Sequence, residues 1–230
     1  MDRRDAGRAI VHCGRRLWEA GLIAGADGNI SVRLDARRLL VTPRGLPKAD
    51  LRPGDLVTVN LAGERVAGYH LPTSELDLHL RIYRSRPETG AVVHAHPPAA
   101  TGLAVAGESL PGDLLPEVTM LFGEVPLVPY ATPGTPALGD LVEPYVYGHD
   151  GLLLANHGAV CWGSDLRIAQ IRMESLEHAA RILLAARAAG RVGRLSPAQV
   201  HELAQMRGLP PYGQIRSAPR QSRRGPPRRA

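Results

Sequence analysis

The sequence predicts an α/β sandwich built around a central, largely antiparallel sheet. Long helical stripes of apolar residues lie near both ends of the chain, and short extended runs rich in β-branched residues lie between them. Helical and extended patterns follow one another as helix, strands, helix, strand, helix, strand pair, helix. This order fits helices packed on a sheet within one domain.

In the first half, a helix is predicted over residues 3–20, where Ala6, Ile10, Cys13 and Leu17 form one stripe and Gly21 ends it. Short strands are predicted next, separated by turn-forming glycine and proline residues: 29–34, 39–42 and 55–60.

A second helix, predicted over about 75–86, leads into the apolar strand 91–96. Its apolar stripe contains Leu76, Leu80 and Tyr83, and Thr73 or Ser74 is predicted as its N-cap.

The second half is predicted to hold a small-residue helix, a strand, a further helix weakened by Pro144, and two strands joined by a tight turn: 98–106, 125–128, 137–147, 151–155 and 159–162. Residues 107–124 give no clear pattern. Ser164 is predicted to cap a long helix over 165–189, which Gly190 ends, and Ser196 with Pro197 is predicted to open a last short helix.

The net charge of +6 comes from the C-terminus. Residues 216–230 contain six arginines and no acid, so the rest of the chain carries 28 − 6 = 22 basic against 22 acidic residues. A neutral body predicts no nucleic-acid partner. We therefore expect one domain over residues 1–208, followed by a Pro- and Arg-rich, disordered tail at 209–230.

Other features predict a cytoplasmic protein without a membrane partner. No apolar run approaches the 18 to 20 residues of a membrane span, and the charged N-terminus shows no signal peptide. Cys13 and Cys161 both lie in apolar segments, which favours buried thiols over a disulfide.

Three histidines predict a metal site. His94 and His96 lie in Ala91-Val-Val-His-Ala-His96, and side chains two apart on a strand point to the same face. His157 lies in Asn156-His-Gly158 and needs the fold to bring it near. Three imidazoles suit Zn²⁺, and catalytic zinc sites use three protein ligands.

Glu75 is the acid that we associate with this pattern. On spacing alone it is better explained as an ordinary acid in the first turn of the second helix, where the helix dipole favours a carboxylate.

Four segments together resemble the class II aldolase/adducin family over roughly residues 5 to 190. They are Gly21–Arg33, Leu40–Gly45, Pro72–Glu75 with His79, and Val92–Pro97 with Asn156–Gly158. The resemblance implies a three-layer α/β/α sandwich, a homotetramer, and zinc bound by His94, His96 and His157, one ion per subunit. It also implies that Glu75 is the catalytic acid/base.

By the same resemblance, six positions would bind the phosphate of a substrate: Gly28, Asn29, Arg44, Gly45, Thr73 and Ser74. Glycines let backbone N–H groups approach an anion, and hydroxyls at a helix start add donors. Arg44 replaces a hydroxyl residue of the fuculose-phosphate aldolases, and its fork suits a carboxylate as well as a phosphate.

The implied function is a zinc-dependent aldehyde-lyase that cleaves a small phosphorylated ketose, similar to fuculose 1-phosphate, through a metal-stabilised enediolate. Decarboxylation of a sugar acid or hydroxylated acid, 4-epimerisation of a ribulose phosphate, and a non-catalytic module are the alternatives. The tyrosine proton donor of the fuculose-phosphate aldolases has no clear counterpart; Glu117 and Tyr212 are the candidates.

Overall fold

An eight-stranded sheet runs through the protein in the computed structural model, which describes residues 2–206. The strands are β1 to β8 in chain order: Asn29–Arg33, Arg38–Val41, Val57–Asn60, Arg65–Ala67, Ala91–Ala95, Leu127–Val128, Gly151–Leu154 and Gly158–Gly163. The helices are α1 to α7: Arg3–Glu19, Leu76–Ser85, Pro98–Val105, Pro116–Leu121, Pro136–Val146, Leu166–Ala188 and Pro197–Met206. A 3₁₀ turn covers Pro53–Asp55.

The sheet is mostly antiparallel, as predicted. Its strand order is β4-β3-β2-β1-β5-β8-β7-β6, and the only parallel neighbours among the described strands are β6 and β7. The central pairing of β1 with β5 places Asn29 directly opposite His94. Because opposite residues point to the same face, this pairing helps to build the candidate site.

Two apolar clusters lie on opposite faces of the sheet, so the three-layer α/β/α architecture is confirmed. One cluster joins α1, α3, α4 and α6 to the sheet, and the other joins α2 and α5 to it. Strand β5 shows the division: Ala91, Val93 and Ala95 belong to the first cluster, and Val92 belongs to the second. His94 therefore points toward the layer that contains α2.

Several sequence predictions hold in detail. The stripe on α1 is fully buried, both cysteines are buried and free, and Gly21 adopts a positive φ of 68° after the helix. The serine hydroxyl of Ser196 accepts from the backbone N–H of Gln199, as expected of a cap. Helix α5 continues through Pro144.

Two predicted helix caps are wrong. Asp165, rather than Ser164, caps α6, since its carboxylate accepts from Ile168 N at 2.9 Å. Glu75, rather than Thr73 or Ser74, occupies the N-cap position of α2. The Thr73 hydroxyl instead accepts from the backbone N–H of Glu75. As the N-cap residue, Glu75 lies one position before Leu76, the first residue of the helix.

Three sequence predictions concern residues that the structure does not describe. The domain boundary at 208, the tail at 209–230 and Tyr212 lie beyond residue 206. Across residues 2–206, no helix combines the length and apolar character needed to cross a bilayer.

Leu40 offers a test of the packing on the first face. The Leu40→Ala variant is expected to lower the free energy of unfolding by about 2–5 kcal/mol, because the fully buried side chain leaves a cavity. Urea denaturation measures this, with the 40%-exposed Leu184→Ala as control, expected to lose less than about 1 kcal/mol. Equal losses in both variants would contradict the assigned burial.

Candidate metal centre

The strand β5 and the β7–β8 turn bring the three histidines together. Strand β5 pairs antiparallel with β8, with His94 opposite Val160, so the turn before β8 lies where β5 ends. Asn156 adopts a left-handed φ of 55° in that turn. One ring nitrogen from each of His94, His96 and His157 lies within 4.8 Å of the others. The predicted cluster is therefore present.

The hydrogen bonds of His94 show which of its nitrogens faces the cluster. Its Nδ1 lies 2.9 Å from the carbonyl oxygen of Ala159, which can only accept, so Nδ1 carries the hydrogen. In the neutral ring Nε2 then presents a lone pair. The hydrogen bond from Nδ1 to Ala159 fixes the orientation of the ring, as is usual for metal-binding histidines.

The polar atoms around His94 fit a cation. Its Nε2 lies 3.1 Å from His96 Nε2 and 3.0 Å from Glu75 Oε2. When the rings are neutral, their lone pairs and the carboxylate repel at these separations, and a bound cation would relieve that repulsion. Among the described residues, Glu75 Oε1 is buried without a hydrogen bond, although His157 Nε2 lies 3.2 Å away. The donor set suits a divalent metal.

Burial and neighbouring charge set the acid–base properties of this cluster. Burial raises the pKa of Glu75, but the charge and hydrogen bond of His94 outweigh it, so that the pKa lies below the usual value. Burial lowers the pKa of His157 to about 4. The Glu75 carboxylate is therefore ionised, and the neutral His157 ring has a lone pair that can bind a metal.

Glu75 is held by Asn29, at the start of β1. Asn29 Nδ2 donates to Glu75 Oε2 at 2.8 Å, and both side chains are buried. The other end of the Asn29 amide contacts His79 Nε2. One hydrogen of Nδ2 remains for a further acceptor.

An open cavity of about 290 Å³ unites the metal cluster with the predicted anion-binding residues. Its walls contain Gly28, Asn29, Arg44, Gly45, Thr73, Ser74, Glu75, His96 and His157. His94 lies behind these walls and is fully buried. Thus residues from five separate stretches of sequence face one space.

A family comparison agrees with this geometry. Residues 8–184 match the family described as Class II Aldolase and Adducin N-terminal domain. The chain belongs to the class II aldolase and adducin family.

Relatives within the class II aldolase and adducin family cover most of the chain. A 3-oxo-tetronate 4-phosphate decarboxylase of Pectobacterium atrosepticum is 37% identical over 178 residues, which are 76% of this chain and 81% of the relative. A 5-deoxy-D-ribulose 1-phosphate aldolase of Bacillus thuringiensis is 33% identical over 201 residues, 85% and 92% of the two chains.

Solved structures share the fold as well. The L-fuculose-1-phosphate aldolase of Thermus thermophilus superposes with a TM-score of 0.73 at 32% identity, over 82% of this chain and 97% of that one. The predicted membership in the class II aldolase and adducin family is confirmed, and with it the prediction of a class II aldolase-type enzyme.

Two residues beside the histidine cluster, Lys48 and Asp27, were not among the predicted site residues. Lys48 is buried in the cavity wall, with Nζ donating to the carbonyl oxygens of Ala26 at 2.6 Å and Leu46 at 2.9 Å. Burial lowers its pKa to about 8. Asp27 Oδ2 lies 3.5 Å from His96 Nδ1. Adjacent residues in the sequence gave no sign of the burial of Lys48.

Glu117, a candidate proton donor, lies elsewhere in this chain. It is exposed and lines a separate groove between α4 and α6, with Phe122 and His178. It does not line the cavity that contains Glu75 and the histidines.

Gly28 tests how tightly the loop before β1 packs on the metal cluster. A Cβ at Gly28 would lie 2.8 Å from the His94 carbonyl oxygen, and its φ of +70° strains any other residue by about 1–2 kcal/mol. We expect Gly28→Ala to lower both thermal stability and metal affinity. Gly25→Ala is the matched control, with φ +51° but open space around it. Equal metal affinity in both variants would contradict this packing.

Proposed function

We propose that the protein is a metal-dependent lyase that breaks a carbon–carbon bond in a small phosphorylated sugar or sugar acid. The observation that carries this proposal is the shared cavity. It brings His96, His157 and Glu75, with His94 directly behind them, together with the predicted anion-binding residues. Membership in the class II aldolase and adducin family supports it.

His94, His96 and His157 would hold the metal, and zinc is the ion that three imidazoles favour. When bound, the metal supplies a Lewis acid for the negative charge that develops on the substrate as the bond breaks. We propose one ion per subunit.

Glu75 would move the proton. Its Oε2 is fixed by Asn29, whereas Oε1 is buried without a hydrogen bond within residues 2–206 and would be the oxygen that exchanges a proton with the substrate. In aldol cleavage, Oε1 would take the proton from the hydroxyl on one side of the breaking bond, so that this side leaves as an aldehyde. It would then return the proton to the carbon on the other side, which keeps the electron pair of the broken bond. A positioned carboxylate contributes about 10²–10⁴-fold in such transfers.

Other residues of the cavity wall would bind the phosphate. Gly28 and Gly45 leave backbone N–H groups accessible, both with positive φ, and Thr73 and Ser74 add hydroxyls just before α2. Asn29 adds its second amide hydrogen. Exposed Arg44 supplies a guanidinium at the mouth.

Aldol cleavage of a ketose phosphate is the leading reaction, in agreement with the name of the Bacillus thuringiensis relative. Decarboxylation is the second candidate, since Arg44 suits a carboxylate and the Pectobacterium atrosepticum relative is named a decarboxylase of a phosphorylated oxo-acid. The 4-epimerase and the non-catalytic module remain alternatives. The homotetramer and the cytoplasmic location remain predictions.

Product analysis separates the two reactions. Zinc-loaded protein is incubated with ketose 1-phosphates and, separately, with phosphorylated oxo- and hydroxy-acids, while aldehyde and carbon dioxide are measured in parallel. Aldehyde release from a ketose phosphate supports the aldolase, and carbon dioxide release from an acid supports the decarboxylase. Failure of the metal-loaded protein to cleave any member of either panel would overturn the proposed function.

Arg44 is expected to act on substrate binding. Replacing it with methionine should raise KM about tenfold with kcat changed less than about threefold, because one charged hydrogen-bonding group is lost. Exposed Arg4→Met on α1 is the control and should leave KM unchanged. Steady-state kinetics of both variants measure the difference; an unchanged KM in the Arg44 variant would exclude a binding role.

A further inference from the structure

A line of polar side chains lies beneath α2, behind the metal cluster. Asn29 and Ser31 are two apart on β1 and point to the same face, while Glu75, His79 and Tyr83 follow at intervals of four residues along α2 and its cap. All five are buried, and His79 and Ser31 are fully so. The two-residue spacing on the strand and the four-residue spacing on the helix thus place these five polar side chains inside the second apolar cluster.

Hydrogen bonds join these side chains into one chain. Tyr83 Oη lies 2.9 Å from Ser31 Oγ, which lies 2.6 Å from His79 Nδ1. His79 Nε2 contacts Asn29 Oδ1, and Asn29 Nδ2 reaches Glu75 Oε2. Polar groups this deep are retained only when every member is satisfied.

The direction of each bond follows from the Glu75 end. A carboxylate only accepts, so Asn29 must present its NH₂ to Glu75 and its oxygen to His79. His79 Nε2 must therefore donate. Burial lowers the pKa of His79 to about 3, so the ring is neutral and Nδ1 accepts from Ser31. Ser31 in turn accepts from Tyr83.

We propose that His79 is a positioning residue for the reaction: its Nε2–H orients the Asn29 amide, and that amide fixes the carboxylate of Glu75 beside the metal cluster. This inference rests on the proposed function, and it assigns a role to a residue that touches neither metal nor substrate. Without the Nε2–H donor, the buried oxygen of Asn29 has no partner. The amide would rotate, and Glu75 Oε2 would lose its donor.

Two substitutions of His79 separate positioning from packing. Glutamine extends as far as the Nε2 position and offers an N–H there, so His79→Gln retains the bond to Asn29. Asparagine extends only as far as Nδ1, so His79→Asn keeps a partner for Ser31 and loses the bond to Asn29. Both variants place a neutral amide in the same site.

We expect His79→Asn to lower kcat about 10–100-fold while one metal per chain is retained. His79→Gln should keep kcat within about threefold of the natural protein. In an Asn29→Ala background, His79→Asn should cause no further loss, because its effect passes through Asn29. Unchanged kcat in His79→Asn, an equal loss in His79→Gln, or an additive effect in the Asn29→Ala background would each overturn the proposal.

A spectroscopic measurement tests the same bond without any assay of activity. Nitrogen-15 NMR of histidine-labelled natural protein should show His79 as the neutral Nε2–H tautomer and should show its Nε2–H lost in His79→Gln. A His79 Nδ1–H tautomer would reverse the chain and overturn the proposal. If the protein cleaved no substrate, the proposed function would fail while this result still stood on its own.

Discussion

The His94→Ala variant is expected to lose both its bound metal and its lyase activity, the latter by more than about a thousandfold. His94 is the most deeply buried of the three predicted ligands. Its Nδ1–H donates to the carbonyl oxygen of Ala159, so the lone pair of Nε2 faces the cluster. No other described residue lies in place to supply the missing nitrogen. Metal content by elemental analysis and turnover of the best substrate measure the two losses.

His157→Ala should give the same loss of metal and activity, since His157 supplies one of the three nitrogens of the cluster from the turn between β7 and β8. His12→Ala is the matched control: His12 is exposed on α1, and we expect full metal content and activity. If His94→Ala retained one metal per chain, the assigned ligand set would be wrong.

The Glu75→Gln variant is expected to retain its metal but to lose about 10²–10⁴-fold in kcat. The amide has the same shape and can still bond to Asn29, but it cannot hold a proton at Oε1. KM should change little, because phosphate binding involves other residues of the cavity.

Stopped-flow or steady-state kinetics with metal-loaded protein measure this loss. Glu19→Gln, at the end of α1 and exposed, is the control and should behave like the natural protein. A Glu75→Gln variant with natural kcat would mean that another group moves the proton.

Much of the fold was predictable because periodicity marks buried elements. The stripe on α1 and the apolar run of β5 both follow from side-chain spacing, and the pattern of β5 also predicted that His94 and His96 share a face. Strand β4 was missed because all three of its residues are exposed and carry no apolar alternation. The cap of α6 was misplaced by one residue, where two adjacent side chains are both suitable acceptors.

The candidate site was predictable as a set of residues, but its internal contacts were not. The resemblance named Glu75 and the histidines, yet Asn29 and His79 are 50 residues apart, and only the folded chain shows that they touch. Lys48 was missed for the same reason: its burial depends on the loop that contains Ala26. Hydrogen bonds between distant segments leave no periodic signal in a sequence.

Metal titration tests the central claim most directly. The protein is stripped with a chelator and then titrated with zinc, while cleavage of its best ketose phosphate or sugar-acid substrate is followed. We predict no activity in the stripped protein and a linear rise that stops at one zinc per chain. Full activity in protein shown by elemental analysis to contain no metal would contradict the assignment of the His94, His96 and His157 cluster as a catalytic metal centre.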